Sequence, residues 1–217
     1  MKQNTTIALT YWLALFMIVF AAGRVRTHNT WLYIVLGASY VLLLWCPLLI
    51  VKLIERRPMA SLGLQFMSPL RVILLGLVAF VSSTLLFIGE IGYRVYFRRE
   101  DLLLATPIVS NWLLEILQQL LWIGFPEEIV HRGYLLTRLR ESWGTVPALF
   151  VSAALFGVGH LALEDLPRAI QAGLAGLIFG WVFLKTESVY TSSLAHILGN
   201  LFGGRIGRII LSGYLLR

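Results

Sequence analysis

The chain has 217 residues, of which 58% are apolar and only 13% are charged. Soluble domains carry about 25% charged residues, so this composition excludes a water-soluble fold. At roughly 20 apolar residues per span, the length leaves room for about seven or eight membrane helices and little else. The apolar runs are continuous rather than alternating, which excludes a transmembrane barrel. Cys46 is the one cysteine, so no intrachain disulfide can form.

The net charge of +7 is explained by basic residues that are expected to contact the membrane surface. They lie in small clusters between apolar runs, as loops beside anionic lipid headgroups do. The clusters are Arg24 and Arg26; Lys52, Arg56 and Arg57; Arg94, Arg98 and Arg99; and Arg138 and Arg140. They form no compact basic face for nucleic acid. We therefore expect the lipid bilayer, and no nucleic acid, as a partner.

The apolar runs predict the spans in chain order. The first three cover about residues 6–22, 31–51 and 72–93, and the first is read as a retained span because no cleavage site follows it. Four more cover about 111–139, 146–163, 169–184 and 188–203, and the tail 206–216 is a marginal eighth. The stretch 52–71 is too polar to span and is expected on the membrane surface. The prediction is an all-α, polytopic transmembrane bundle of seven to eight spans, forming one integral-membrane domain over 1–217.

Ionisable side chains are concentrated in the second half of the chain. Each costs at least about 2–3 kcal/mol in hydrocarbon, so a cluster of them indicates a functional site. The polar residues of the fourth run are Glu115, Gln118, Gln119, Glu127, Glu128, His131 and Arg132. Later runs add His160, His196 and Asn200. Taken singly, each of these could be a packing residue or a structural lock.

Helix geometry brings four of these groups to a similar depth. With a rise of 1.5 Å per residue, Glu127 lies roughly 17 Å from the end of its run and His160 roughly 21 Å from the start of its run. His196 and Asn200 lie roughly 12–18 Å into theirs. If short loops make these spans alternating neighbours, the four side chains meet. The spacing therefore predicts one polar chamber inside the bundle.

Local spacing refines this chamber. Glu128 and Arg132 are four residues apart, so they can form an ion pair that neutralises two buried charges. Glu127 is rotated by about 100° from Glu128 and is free to face another partner. His196 and Asn200 are also four apart and can point two hydrogen-bond donors at one spot.

Three familiar intramembrane protease chemistries are absent from the sequence. There is no H-E-x-x-H for a zinc site and no G-x-S-x-G for a serine nucleophile. Asp101 and Asp165 both fall in polar loops, so no pair of intramembrane aspartates exists. Glutamate and histidine remain, and these are the groups of a general-base hydrolysis.

Three motifs give the sequence a resemblance to a known family. Residues 127–133 (EEIVHRG) resemble the E-E-x-x-x-R motif of the type II CAAX prenyl protease and bacteriocin-processing family, often called CPBP or Abi. Residues 156–160 (FGVGH) match its F-x-x-x-H motif, and residues 196–200 (HILGN) match its H-x-x-x-N motif. His131 departs from the phenylalanine common at its position. It either shifts the basicity of Glu127 or faces lipid headgroups.

The resemblance implies an intramembrane endopeptidase with an eight-helix core, acting on a membrane-associated peptide or protein. The motif positions that would carry the site are Glu127, Glu128, Arg132, His160, His196 and Asn200. By this resemblance Glu127 and His160 activate water. His196 and Asn200 stabilise the oxyanion. Glu128 and Arg132 hold the helix geometry.

The resemblance leaves a choice between a metal-free site and zinc. Glu127, His160 and His196 equal the ligand count of a catalytic zinc site with an open position. Zinc would then require Glu128 to leave Arg132 and act as the base, and would leave the asparagine without a part. We therefore expect no cofactor, with zinc at those three residues as the alternative.

Two non-enzymatic alternatives compete with the endopeptidase. A proton-coupled transporter also buries Glu and His, but it is favoured by repeat symmetry between halves, which the sequence lacks. A binding or immunity protein of the same family would need no proteolysis. The resemblance leaves the substrate open between CAAX proteins and other peptides, and favours a prokaryotic cell membrane. The basic stretch 52–71 predicts a cytoplasmic N-terminus.

Overall fold

The computed structural model describes residues 2–25, 30–65, 67–101 and 111–215, and most of these residues lie in helices. No strand occurs in these ranges, so the all-α prediction is confirmed. The helices are α1 (Gln3–Ala22), α2 (Thr30–Leu49, extended by a π turn, Ile50–Ile54), α3 (Pro69–Tyr96), α4 (Trp112–Leu121), α5 (124–143), α6 (Thr145–His160), α7 (Leu166–Thr186) and α8 (189–215). Both α5 and α8 contain a π segment, at Ile129–Leu136 and Gly199–Gly203 respectively.

Four segments in the described part of the chain are long and apolar enough to cross a membrane. They are Gln3–Ala22, Ile34–Ile54, Pro69–Tyr96 and Leu166–Thr186. Helix α6 is a shorter apolar helix. The chain is thus an integral membrane protein, whereas the count of seven to eight spans stays a prediction. The predicted seventh span and marginal eighth differ from the structure, because 189–215 run as one continuous helix; residue 216 lies outside the described residues.

Helix α5 lies at the centre of the bundle. Every residue from Glu128 to Leu136 is buried, as expected of a helix that is enclosed on all sides. Its π segment contacts α1, α2, α6, α7 and α8. Trp12, Leu62 and Tyr134 belong to the hydrophobic core around it. The polar residues of the π segment, His131 and Arg132, are therefore held inside protein rather than in lipid.

The stretch 52–71 is not simply a surface segment, as the sequence suggested. The Glu55 side chain and Leu62 are fully buried, and Glu55 pairs at 2.6 Å with Arg138, which is only 1% exposed and so does not face headgroups as predicted. The backbone of this stretch packs closely against α5, because a Cβ on Gly133 would lie 2.7 Å from the Leu62 carbonyl oxygen. Gly63 turns the chain there with φ +70°, a conformation that favours glycine.

Small residues bring α6 and α7 into close contact. A Cβ on Gly157 would lie 2.7 Å from the Ala169 carbonyl oxygen. Ala153 and Gly157 on α6 face Ala169 and Gly173 on α7, with four-residue spacing on both helices. This is the small-residue pattern by which membrane helices approach. The contact places the end of α6, and thus His160, against the bundle.

Polar contacts join neighbouring helices at each end of the bundle. At the Lys2 end, the Lys2 amide donates to Ser142 Oγ at 3.0 Å. At the opposite Asp165 end, Arg94 on α3 pairs with Glu90 at 2.5 Å and also with Asp165, in the turn after α6. These contacts tie α1 to α5 at one end and α3 to α7 at the other.

Candidate active site

A break in the helical chain presents Glu127. Helix α4 ends at Leu121, and α5 begins at Gly124. Pro126 accounts for the break, because its ring would clash with the carbonyl of Trp122 in a continuous helix. Glu127 therefore lies in the first turn of α5, where the helix dipole favours a negative charge. The fourth run, predicted as one span, is two helices with this glutamate at their junction.

Glu127 contacts one group from each of two distant helices. The Tyr40 hydroxyl, on α2, donates to Glu127 Oε1 at 3.0 Å. His196 Nε2, on α8, lies 3.9 Å from Glu127 Oε2. The Glu127 side chain is 15% exposed, so it reaches a cavity instead of being sealed in the core. Sequence reasoning predicted the histidine near Glu127 but missed Tyr40.

Glu128 is fully buried and forms the ion pair predicted from its spacing. Arg132 Nη1 donates to Glu128 Oε1 at 2.6 Å, and both side chains are at most 1% exposed. The arginine also donates to the Gly176 carbonyl oxygen at 3.3 Å and lies 4.3 Å from the Phe156 ring centroid. The predicted pair is confirmed, and it joins α5 to α7 and α6.

His196 is oriented by Glu128 as well. Its Nδ1 lies 2.9 Å from Glu128 Oε1, and its ring stacks on Phe179 at a centroid distance of 5.3 Å. The carboxylate accepts a hydrogen bond from Nδ1–H, which turns Nε2 towards Glu127. The ring is thereby fixed between the two glutamates of the E-E-x-x-x-R motif.

His160 and Asn200 complete the set of motif residues. His160 Nδ1 lies 2.9 Å from the Phe156 carbonyl oxygen, so it carries the proton and Nε2 is left as an acceptor. Asn200 Nδ2 donates to Gln119 Oε1 at 2.9 Å. The sequence predicted that the asparagine and His196 point both donors at one spot, whereas one donor of each is taken by another residue.

Four of the motif residues line one cavity of about 480 Å³. Glu127, His160, His196 and Asn200 all contribute to its wall, so the convergence predicted from helix rise is found in the structure. We call this cavity the chamber. It extends past α1 and α2 towards the Asp165 end, where Leu163, Glu164 and Arg168 complete the lining.

His131 is buried rather than turned to lipid headgroups, so that alternative is wrong. Its Nδ1 lies 2.9 Å from the Glu127 carbonyl oxygen, and its Nε2 accepts from Trp12 Nε1 at 3.3 Å. The ring packs edge-on against Phe156 at 4.8 Å. His131 thus links the backbone of the exposed glutamate to α1, a contact that only the fold reveals.

The orientation of the two histidine rings bears on the zinc alternative. In the described ranges, no group of three His, Cys, Asp or Glu side chains is placed to hold a metal ion. His196 directs Nδ1 to Glu128, and His160 directs Nδ1 to its own helix, which leaves Nε2 of both rings free. The metal-free site therefore stays a prediction, and its test is chemical analysis.

Comparison with known proteins supports the resemblance seen in the motifs. Residues 109–202 match the family model described as type II CAAX prenyl endopeptidase Rce1-like. The match spans all three motifs and confirms the relationship that they predicted. No curated protein and no solved structure matches the chain significantly.

Proposed function

From the match to a CAAX endopeptidase family and the geometry of the chamber, we propose that this membrane protein is an intramembrane endopeptidase. It hydrolyses a peptide bond of a membrane-associated peptide or protein. The observation that carries the proposal is the 3.9 Å separation of Glu127 Oε2 and His196 Nε2 inside the chamber. At that separation the two atoms form no direct hydrogen bond, so Glu127 Oε2 is free to hold the water, which would be the nucleophile, and His196 Nε2 is free to meet the oxyanion.

Glu127 is the proposed general base. Its Oε2 removes a proton from the water while the oxygen of that water attacks the scissile carbonyl carbon. His160 Nε2, an acceptor because Nδ1 bonds to Phe156, orients the second proton of the water. Glu127 then gives its proton to the departing amine. A positioned base of this kind contributes about 10²–10⁴-fold to the rate.

Asn200 and His196 are the proposed oxyanion donors. The Asn200 amide has two N–H groups, and the bond to Gln119 leaves one of them for the substrate. His196 can donate from Nε2 when its ring carries both protons, because Nδ1 already donates to Glu128. Each oxyanion donor contributes about 3–4 kcal/mol in well-studied hydrolases. Glu128 and Arg132 hold the helices that present these groups.

The decisive experiment compares new peptide termini in membranes of cells expressing wild type, Glu127→Gln or Glu115→Gln. Glu127→Gln keeps the side-chain shape but removes the base, so termini produced by the wild type should disappear. Glu115→Gln is the matched control, because Glu115 lies on α4 outside the chamber and pairs with Arg205 at 3.1 Å. Termini that persist in Glu127→Gln would refute the glutamate mechanism.

The same variants separate proteolysis from the binding alternative. A prenylated CAAX peptide and its unprenylated counterpart, each carrying a photo-crosslinker, are incubated with wild type and Glu127→Gln. An endopeptidase should cleave one or both with wild type and retain the uncleaved peptide in Glu127→Gln. Retention of intact peptide by both proteins would favour the non-proteolytic member of the family.

The proposed enzyme needs no metal. Elemental analysis of active protein should find no stoichiometric zinc, and a chelator should leave activity unchanged. Zinc at one equivalent, with activity lost on chelation and restored by zinc, would overturn the metal-free mechanism.

We further propose a prokaryotic cell membrane with the N-terminus in the cytoplasm, so that the chamber extends towards the outer face. Single cysteines introduced by Ala60→Cys at the Lys2 end and Asp101→Cys at the Asp165 end, in a Cys46→Ser background, report the orientation. An impermeant thiol reagent applied to whole cells should label only the second variant. Labelling of residue 60 alone would reverse the topology and place the chamber opening on the cytoplasmic side.

A further inference from the structure

A groove lies on the outside of the bundle, between the start of α3 and the end of α7. It encloses about 540 Å³, and its lining residues are Ser68, Leu70, Arg71, Leu74, Leu75, Trp181 and Lys185. Both helices are candidate membrane spans. Arg71 is in the first turn of one and Lys185 in the last turn of the other, so the groove opens at a membrane boundary. None of its lining residues belongs to the chamber.

The boundary end of the groove is cationic. Arg71 Nη2 donates to the Lys185 carbonyl oxygen at 3.2 Å, which holds the guanidinium across the gap between the helices. Lys185 Nζ lies 6.0 Å from the Trp181 ring centroid. Within the described ranges neither basic side chain forms an ion pair, and the lining contains no acidic residue. The neighbouring Glu187 is already paired with Arg140 at 2.6 Å.

The other end of the groove is apolar and faces outward. Leu74 and Trp181 are 54% and 45% exposed, and they lie about one helical turn further into the spans than Arg71 and Lys185. Their exposed area continues the groove from the boundary into the hydrocarbon region. A ligand that fits must therefore be anionic at one end and hydrocarbon at the other.

We propose that this groove binds an anionic phospholipid. Its phosphate lies between the Arg71 guanidinium and the Lys185 ammonium, and an acyl chain follows Leu74 and Leu75 beside Trp181. Basic pockets between membrane helices bind acidic headgroups in this manner. A soluble phosphate would satisfy the cations but leave the leucine surface unused, so the lipid is the better fit. The proposal is independent of the proteolytic chemistry.

Quenching of tryptophan fluorescence tests the site in the full-length protein. The protein is placed in phosphatidylcholine nanodiscs that contain an equal mole fraction of acyl-brominated phosphatidylglycerol or acyl-brominated phosphatidylcholine. The bromines of a bound lipid lie beside Trp181, so phosphatidylglycerol should quench more strongly. The excess should vanish in Trp181→Phe, while general quenching of the other tryptophans persists.

Charge variants identify the headgroup site. Arg71→Gln and Lys185→Gln should each weaken the apparent affinity for the brominated phosphatidylglycerol about fivefold. The matched control is Lys52→Gln, which removes an exposed charge at the same end of the bundle but outside the groove. It should leave the preference unchanged. Arg71→Lys, which keeps the charge, should restore most of the affinity lost in Arg71→Gln.

Three results would overturn the proposal. Equal quenching by the two lipids in wild type would exclude a preference for anionic headgroups. A preference that survives the Arg71→Gln and Lys185→Gln double substitution would place the lipid elsewhere. Displacement of the brominated lipid by soluble glycerol 3-phosphate would show a site for a free phosphate. Thermal unfolding of each variant confirms that it is folded, and Trp181→Phe leaves every charge in place.

Discussion

The hydroxyl of Tyr40 donates to Oε1 of Glu127 at 3.0 Å, across 87 positions of the chain. The bond fixes one carboxylate oxygen, so the other faces His196 Nε2. The tyrosine also lines the chamber. It is therefore placed to position the proposed base without itself taking a proton from water.

Tyr40→Phe should lower kcat about ten- to hundredfold and change KM little, because a hydrogen bond to a charged group contributes about 1.5–3 kcal/mol. The measurement is cleavage kinetics with a substrate identified from the new termini. Tyr11→Phe is the control: Tyr11 donates to the Leu43 carbonyl oxygen at 2.6 Å, a contact with the same helix α2 that does not touch Glu127. Equal loss in both variants would indicate a structural role for Tyr40.

The sequence predicted those parts of the site that follow from spacing on single helices. The Glu128–Arg132 pair needs only four-residue periodicity, and the chamber needs only helix rise and alternating neighbours. Tyr40 and Gln119 were missed as partners because their contacts depend on how α2 and α4 pack. Nothing in the local sequence distinguishes a tyrosine that meets a glutamate from one that faces lipid.

The wrong prediction for Arg138 also arises from a contact between residues that are distant in the sequence. Arg138 was grouped with the headgroup cations because it follows an apolar run, yet its partner Glu55 is 83 positions away. A charged residue near a helix end is exposed only if no distant carboxylate folds back onto it. By contrast, the break before Glu127 could have been found, since Pro126 removes a hydrogen-bond donor at that point.

Breaking the buried Glu128–Arg132 pair should reduce folding more than breaking a surface pair. Arg132→Ala leaves Glu128 without its cation inside the bundle, which costs about 3–5 kcal/mol. Arg140→Ala breaks the pair with Glu187, whose side chains are 39% and 50% exposed, and should cost under about 1 kcal/mol. Folded yield after size-exclusion chromatography measures both. Comparable yields for the two variants would mean that the pair contributes little to folding.

The contact between α6 and α7 gives a matched glycine pair. Gly157→Ala places a Cβ 2.7 Å from the Ala169 carbonyl oxygen, so the two backbones must separate. We expect a loss of about 1–3 kcal/mol, typical of overpacking. Gly173→Ala places its Cβ 3.6 Å from the nearest atom, an ordinary contact, and gains up to about 1 kcal/mol of helix propensity. Thermal unfolding in detergent should therefore shift in opposite directions, and a shift of the same sign would contradict the close approach of the two helices at Gly157.

The Asp165 end should lose stability in acid. Partial burial acts to raise the pKa of Asp165, but the backbone N–H of Arg168 and the guanidinium of Arg94 outweigh it, and the net pKa is lowered. A carboxyl with a lowered folded pKa contributes stability above its unfolded value of about 4, and this contribution is lost as the pH falls through the folded value.

Asp165→Asn tests this pH dependence while keeping an N-cap for α7, because asparagine caps as well as aspartate. Near pH 6 the variant should be less stable by at most about 1 kcal/mol, the range for partly exposed ion pairs. The difference from wild type should shrink as the pH falls below about 4. Thermal unfolding across pH measures it, with Asp101→Asn as a control for an exposed aspartate at the same end. A difference that stays constant down to pH 2 would show that the charge of Asp165 does not stabilise the turn after α6.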